Sequence, residues 1–381
     1  MRETSKKGIS WKKNIFRFSL VIEMVIIFIV FQAVSRGLFL RNANINNLFM
    51  QSCTYAVIGC SMVYVMIIGG IDLSAGATLG FLCTLAATLQ QKNVDVSLTI
   101  VITVGVGIMI GAFYGYWVAY QGMPAFIATL AGQNIFRGLT LFVGKGMSVG
   151  PAKEAFAKYG KGCLSPVLST AYIIIFVSIV FAVVFSQRKS KKAYGFETSG
   201  IGIDFLKAGS ISLIVALVGF LLTSYKGIPI AVVILSFLAA VMTFIGLNTP
   251  YGRGIYAIGN NRDAAQLSGI NTKKVTFCVY LIHGAVVALA SVIYLGRIGQ
   301  ASATTGTGFE FSAITGCILG GTSTLGGSGT VIGAILGTVI MASLDNGMAL
   351  MNMGTTWQYL IKGVVLILAV WLDIASKAKK K

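Results

Sequence analysis

The stretch SLTIVITVGVGIMIGAFYGYWVAY, residues 97–120, holds no charged side chain. It is long enough to cross a bilayer, which takes about 20 apolar residues. Outward from it the pattern recurs. Apolar runs lie at 15–37, 49–68, 75–91, 124–143, 169–186, 205–224, 228–248, 275–297, 311–326, 328–345 and 356–373, which with 97–120 make twelve. The chain has 381 residues, 56% of them hydrophobic and 11% charged, with a mean hydropathy of +0.83. A soluble domain carries about 25% charged residues. A dozen crossings take roughly 240 residues and leave loops too short for a folded soluble domain. A soluble enzyme and a single-pass receptor are excluded. The sequence predicts an all-α, polytopic integral membrane protein with 10–12 transmembrane helices, a single membrane domain over residues 1–381. Segments 75–91 and 311–326 are short and glycine-flanked, so either is a candidate for a broken or re-entrant helix.

The net charge of +19 comes from 30 Lys+Arg against 11 Asp+Glu. These cations gather in the tails at 1–14 and 374–381, around Arg188–Lys192, and around Arg253–Lys274. With the N-terminus inside, each of these places follows an even number of crossings. The positive-inside rule therefore puts them, and both termini, in the cytoplasm. Loop 144–168 disagrees: parity makes it external, yet it holds Lys145, Lys153, Lys158 and Lys161 against Glu154. No basic face interleaved with aromatics appears, which excludes nucleic acid as a partner. The six cysteines (Cys53, Cys60, Cys83, Cys163, Cys278, Cys317) form no CxxC pair, so neither disulfide, metal nor cofactor is implied. GxxxxGK[ST], HExxH and GxSxG are absent, so no ATP site or catalytic residue is expected.

Two stretches resemble each other: IIGGIDLSAGATLG at 67–80 and ILGGTSTLGGSGTVIG at 318–333. Paired interruptions in the two halves of a membrane chain point to a transport pathway. Backbone so rich in glycine survives at membrane depth only inside protein or beside a wet cavity. Gly69, Gly70, Asp72, Ser74, Gly320, Gly321, Thr322 and Ser323 are the expected pathway residues. The plainer reading, close helix packing, suits the tandem GxxxG runs Gly107–Gly111–Gly115 and Gly329–Gly333–Gly337 better. Asp72 is costly within a span and reads equally as a gate or as part of a helix cap with Ser74. His283, the only histidine, has no carboxylate at i±3 or i±4, which favours a helix–helix hydrogen bond over a proton relay. Glu310 suits a helix start, Asp345 and Asn346 fall where a span ends, and Arg137 needs a partner that sequence does not identify. Tyr116, Trp117, Tyr120, Phe126, Phe309, Phe311, Trp357 and Tyr359 fit an interfacial belt or, less readily, stacking on a sugar ring.

The loop TPYGRGIYAIGNNRDAAQLSGINTKK, 249–274, is longer and less polar than a connector needs to be. Small and apolar residues at Ala264, Ala265 and Leu267 suit a short helix lying in another protein's groove, with Gly269 ending it.

DAAQLSG at 263–269 resembles the EAA-x-x-x-G loop of ABC importer permeases, the element that docks onto a cytoplasmic ATPase. GGIDLSAG, PAFIATL, YGRGIYAIGNN, GTGFEFSAITGCILGGTSTLGGSGTVIGA and WQYLIKGVVLILAVWLD look like the ribose/xylose/galactoside branch of monosaccharide permeases, from about Asn42 to Asp373. Asp263 stands where many relatives carry Glu. Relatives are commonly drawn with ten spans, and the surplus here is the pair 169–186 and 205–224, as in the longer xylose and multiple-monosaccharide permeases. The resemblance implies a non-enzymatic permease subunit of a bacterial inner-membrane sugar importer. Its implied partners are a separate ABC ATPase, coupled through Asp263, Ala264, Ala265, Leu267 and Gly269, an extracytoplasmic sugar-binding protein, and a second permease chain. The alternatives are related permeases for nucleosides or branched-chain amino acids, and an ion-coupled secondary transporter using Asp72 and Glu310.

Overall fold

A computed structural model describes residues 11–196 and 200–378. Their helices are α1 Trp11–Val34, α2 Asn42–Ile67, α3 Ala75–Gln91, α4 Val96–Ala119, α5 Ala125–Gly144, α6 Glu154–Lys161, α7 Pro166–Ala193, α8 Ile201–Thr223, α9 Ile230–Asn248, α10 Pro250–Asn260, α11 Arg262–Leu267, α12 Thr272–Ile298, α13 Phe309–Leu319, α14 Val331–Leu350 and α15 Thr355–Ala378. Each apolar run has its helix. Among the described residues nine helices are long and apolar enough to cross a membrane. The shortfall from ten to twelve lies in three places. The described apolar part of α1 is Leu20–Val34, α3 has 17 residues, and α13 has 11. Segment 311–326 is thus half a helix followed by irregular chain, and Gly329 precedes α14 rather than belonging to it.

The tails also need correction. Helix α1 already begins at Trp11, inside the expected tail 1–14, and α15 runs on to Ala378, inside the expected tail 374–381. Arg2, Lys6 and Lys7, like Lys379, Lys380 and Lys381, lie outside the described residues. The loop 144–168 contains the unexpected α6, whose buried Phe156 and Gly160 dock against the end of α12 near Arg297.

Packing follows the logic of an apolar solvent. Lipid tails are as greasy as leucine, so apolarity does not drive helices together, and small and polar side chains collect inside. The central helix α2 has a hydropathy of 1.4 and is 89% buried, whereas α7, at 2.7, is only 6% buried. Ser52, Thr54, Ser61 and Asn46 are among the polar groups that α2 buries. The surplus pair α7 and α8 forms a peripheral hairpin, tied where Arg188 meets Asp204. Two helices break the trend. Helix α5 (hydropathy 1.3) is 28% buried and α15 (1.7) only 6%.

The expected glycine seam is present where α4 crosses α12. Gly107 and Gly284 face each other so closely that a Cβ on Gly284 would collide with the Gly107 carbonyl. Gly105, on the same helix, has open space around its Cβ position. Gly284→Ala should therefore destabilise the protein by about 1–3 kcal/mol through overpacking, while Gly105→Ala should be neutral or slightly stabilising. Thermal unfolding of both variants in detergent checks this, and equal melting temperatures would contradict the seam.

Candidate functional site

The two glycine-rich stretches are the links between helices. Residues 68–74 join α2 to α3, and residues 320–330 join α13 to α14. They lie against each other. The Gly327 N–H donates to the Ile67 carbonyl at 2.9 Å, which satisfies a helix-end acceptor that would otherwise be orphaned. Helix α10 closes over this junction. Its Gly259 packs so tightly on the Ile67 carbonyl that any side chain would strike it, and Tyr256 OH donates to the Gly329 carbonyl at 2.9 Å. From α15, Asp373 Oδ2 accepts from Thr324 Oγ1 at 3.0 Å and from its N–H at 3.2 Å. Helix α10, which precedes α11, is therefore hydrogen-bonded to the second break and packed against the end of α2 where the first begins.

The expected pathway residues divide into two groups. Gly69 and Gly70 line a cleft of about 520 Å³, whose polar lining includes Gln121, Arg262, Lys273, Thr276 and Tyr280. Gly321 is exposed and Gly320 half-buried, whereas Asp72, Ser74, Thr322 and Ser323 are packed inside the protein. The short α11 exposes Asp263, Ala264, Leu267 and Gly269, but Ala265 is 4% exposed and faces inward. Of the expected coupling residues, Ala265 holds α11 against the bundle and the other four form its outer surface.

Asp72 makes two kinds of contact. Oδ1 accepts from both the backbone N–H and the hydroxyl of Ser74, each at 2.6 Å, which caps the entry to α3. Ser74 occupies the N-cap position, yet its side chain caps no backbone group and instead donates to Asp72. Oδ2 lies 3.0 Å from Nε2 of His283, and Nδ1 of that ring is 2.8 Å from Ser61 Oγ. Sequence spacing could not have paired these residues, because they sit on α2, on a helix break and on α12. The only signal was that each is a lone polar group in an apolar setting. Such groups at membrane depth need one another.

A second acid lies close by. The first turn of α3, at Gly76, rests on Gly306 and on the Glu310 carboxylate in the first turn of α13. The N-terminal ends of two short helices thus converge, each carrying partial positive charge, with the carboxyl groups of Asp72 and Glu310 beside them. Arg137, whose partner sequence left open, donates from Nη1 to the carbonyls of Ala303 at 2.8 Å and Thr305 at 2.9 Å. It satisfies the irregular chain that leads into α13, as backbone at membrane depth requires.

Removing one partner of a close buried polar contact leaves the other unsatisfied, at a cost of about 1–3 kcal/mol. His283→Leu should therefore lower the melting temperature more than the double variant Asp72→Asn/His283→Leu, in which a neutral amide replaces the carboxyl left without its partner. A double-mutant cycle by thermal denaturation in detergent reads this coupling. Additive effects would mean that the pair is not energetically linked.

Comparison with known proteins now adds to this geometry. The family model described as "Branched-chain amino acid transport system / permease component" matches residues 44–370. The xylose transport system permease protein XylH of Haemophilus influenzae is 37% identical over 369 residues, covering 96% of this chain and 98% of that protein. XylH of Escherichia coli strain K12 is also 37% identical, over 96% and 93% of the two chains. The ribose import permease protein RbsC of Haemophilus influenzae is 30% identical over 88% and 87%. No solved structure matches. A family match over most of the chain, near-complete coverage of the relatives and a polytopic helical fold agree, and the chain belongs to this family of ABC-transporter permeases.

Proposed function

We propose that the protein is the membrane-spanning subunit of a binding-protein-dependent importer that moves a monosaccharide into a bacterial cell across the inner membrane. A separate ABC ATPase supplies the energy. The observation that carries the coupling part of this reading is the placement of α10–α11. Leu267 is 89% exposed at the tip of this element, an apolar side chain waiting for a groove, while α10 behind it is wedged onto the junction of both helix breaks. A push on the outer face of α11, at Asp263, Ala264, Leu267 and Gly269, reaches Gly69, Gly70 and Gly320–Ser323 through packed backbone rather than through flexible side chains. The named relatives with xylose, ribose and allose permease titles support a sugar as cargo. The family description favours a second cargo, branched-chain amino acids.

In this reading the α10–α11 end is cytoplasmic, as are both termini, and sugar arrives at the opposite end from a soluble receptor. Two permease chains pair around the path. The two helices that are less apolar than their exposure warrants, α5 and α15, are the natural faces for that pairing. Helix α5 exposes Asn134 midway along its length, where lipid offers it no hydrogen bond.

Reconstitution into proteoliposomes tests the proposal. Uptake should require ATP, the ATPase subunit and a loaded sugar receptor, and leucine should not compete. Uptake driven by a pH gradient alone would replace this reading with a secondary transporter. Leu267→Asp should reduce uptake by about tenfold or more, equivalent to about 1.4 kcal/mol or more of lost docking, without impairing membrane insertion. Normal uptake and normal co-purification with the ATPase would remove α11 from the interface.

Orientation is checked separately. In a cysteine-free background, Lys158→Cys should react with an impermeant thiol reagent in intact cells and Ser190→Cys should not. The opposite pattern would invert the proposed topology.

A further inference from the structure

Away from the helix breaks, a polar cavity of about 250 Å³ opens between α2, α14 and α15. Pockets for drug-sized ligands run about 300–1,000 Å³, so this one suits a single small ring. Its lining is unlike its surroundings. Asp345 of α14 and Lys362 of α15 form an ion pair at 3.2 Å, with side chains 7% and 16% exposed. Tyr55 OH donates to the other carboxylate oxygen, Asp345 Oδ2, at 2.9 Å. Gln51, Gln358 and the ring of Tyr359 complete the wall.

A buried ion pair at membrane depth is expensive and marks function more often than stability. Here the pair is incompletely used. Asp345 Oδ1 is buried and lacks an aligned hydrogen bond, although the Lys362 ammonium lies close to it. The Gln51 side chain makes no hydrogen bond among the described residues, while the Gln358 side chain donates one N–H to the Met353 carbonyl. The cavity thus offers a carboxylate lone pair, ammonium protons and two carboxamides, with no net charge, beside an aromatic face. That is the chemistry for a neutral polyhydroxylated ring. Vicinal hydroxyls donate to the carboxylate and accept from the ammonium, and the carboxamides serve the rest. A phosphate would meet the carboxylate, and a zwitterion would have to split the pair. The location fits as well. Helix α15 is among the least buried of the span-length helices, so the cavity lies near the protein's outer face rather than in its core.

We infer that Asp345, Lys362, Gln51 and Gln358 form a transit site for a monosaccharide, walled by the Tyr359 ring, over which the Lys362 ammonium sits 5.6 Å from the centroid. This rests on the sugar-importer reading above and names where in the permease the cargo is first held. The site lies in the half of the protein remote from α10–α11, as a receiving site for receptor-delivered sugar must.

The test uses the complete importer in proteoliposomes and the purified permease in detergent. Gln51→Leu and Gln358→Leu leave the ion pair intact and should each lower sugar uptake about tenfold, the loss of one or two hydrogen bonds to the ring. In the permease alone, Tyr359→Trp should report a fluorescence change on adding xylose or ribose, and adding Gln358→Leu should abolish it. A structural role for these residues would leave fluorescence insensitive to sugar. Normal uptake in both glutamine variants, with wild-type protein importing sugar, would overturn the site alone. Failure of the wild-type importer to take up any monosaccharide would overturn the functional reading, and the site with it.

Discussion

The constraint on which this molecule turns is that backbone N–H and C=O groups have no water to bond inside a bilayer. Every departure from helix there must find protein partners. At the two breaks, 68–74 and 320–330, those partners are supplied by the breaks themselves and by their neighbours: Gly327 for Ile67, Tyr256 for Gly329, Asp72 for Ser74, and Asp373 for Thr324. Arg137 does the same for the irregular chain ahead of α13. None of these bonds is decorative. All but the local Asp72–Ser74 bond join irregular chain to an element distant in sequence, so the breaks hold the bundle's order as much as the bundle holds them.

The same solvent reverses the usual relation between hydropathy and burial. Helix α2, the second least apolar of the nine span-length helices, is the most buried of them, and α7, among the most apolar, lies nearly bare. Close backbone approach and side-chain hydrogen bonds replace hydrophobic burial as the source of specificity. The seam of Gly107 and Gly284 shows the first, and the set Ser61, His283 and Asp72 the second. A helix that is neither very apolar nor buried is then the anomaly, and α5 and α15 are the two that depart from the trend.

How legible was this from sequence? Every apolar run became a helix, because run length and hydropathy are local properties that the bilayer reads directly. The breaks were legible too, since glycine clustered with small polar residues has few uses at membrane depth. Helix α6 was missed because an eight-residue helix carrying three charges has no membrane signature, and only burial of Phe156 against α12 reveals it. Ala265 was grouped with its neighbours because a short motif does not say which face of a one-turn helix points in. The pairs Asp72–His283 and Asp345–Lys362 were illegible as pairs. Their members lie on different helices with no spacing rule between them. What sequence offered was a set of unexplained polar residues within spans, each demanding a partner.

Those demands are met at three depths along the bundle, and this ordering bears on how such a protein transmits force. At one end α10 is clamped to both breaks by glycine-tight backbone contact. Deeper in, Asp72 and Glu310 sit where the N-terminal ends of α3 and α13 converge. Farther on, Asp345 and Lys362 tie α14 to α15 around a cavity. Close-packed interiors do not deform continuously, so in the importer proposed above a displacement of α10 would pass as discrete shifts through the links that lead into α3 and out of α13. Helix α13 spans only 11 residues, is followed by the 320–330 link, and packs between α14 and α15. It is short enough to move as a rigid piece. A tilt of α13 would alter, at its N-terminal turn, both the contact of Glu310 with Gly76 and, through the adjacent Phe309, the wall of the Asp345–Lys362 cavity. The two halves of the molecule are thus joined through one short helix whose flanking links were written into the sequence as glycine.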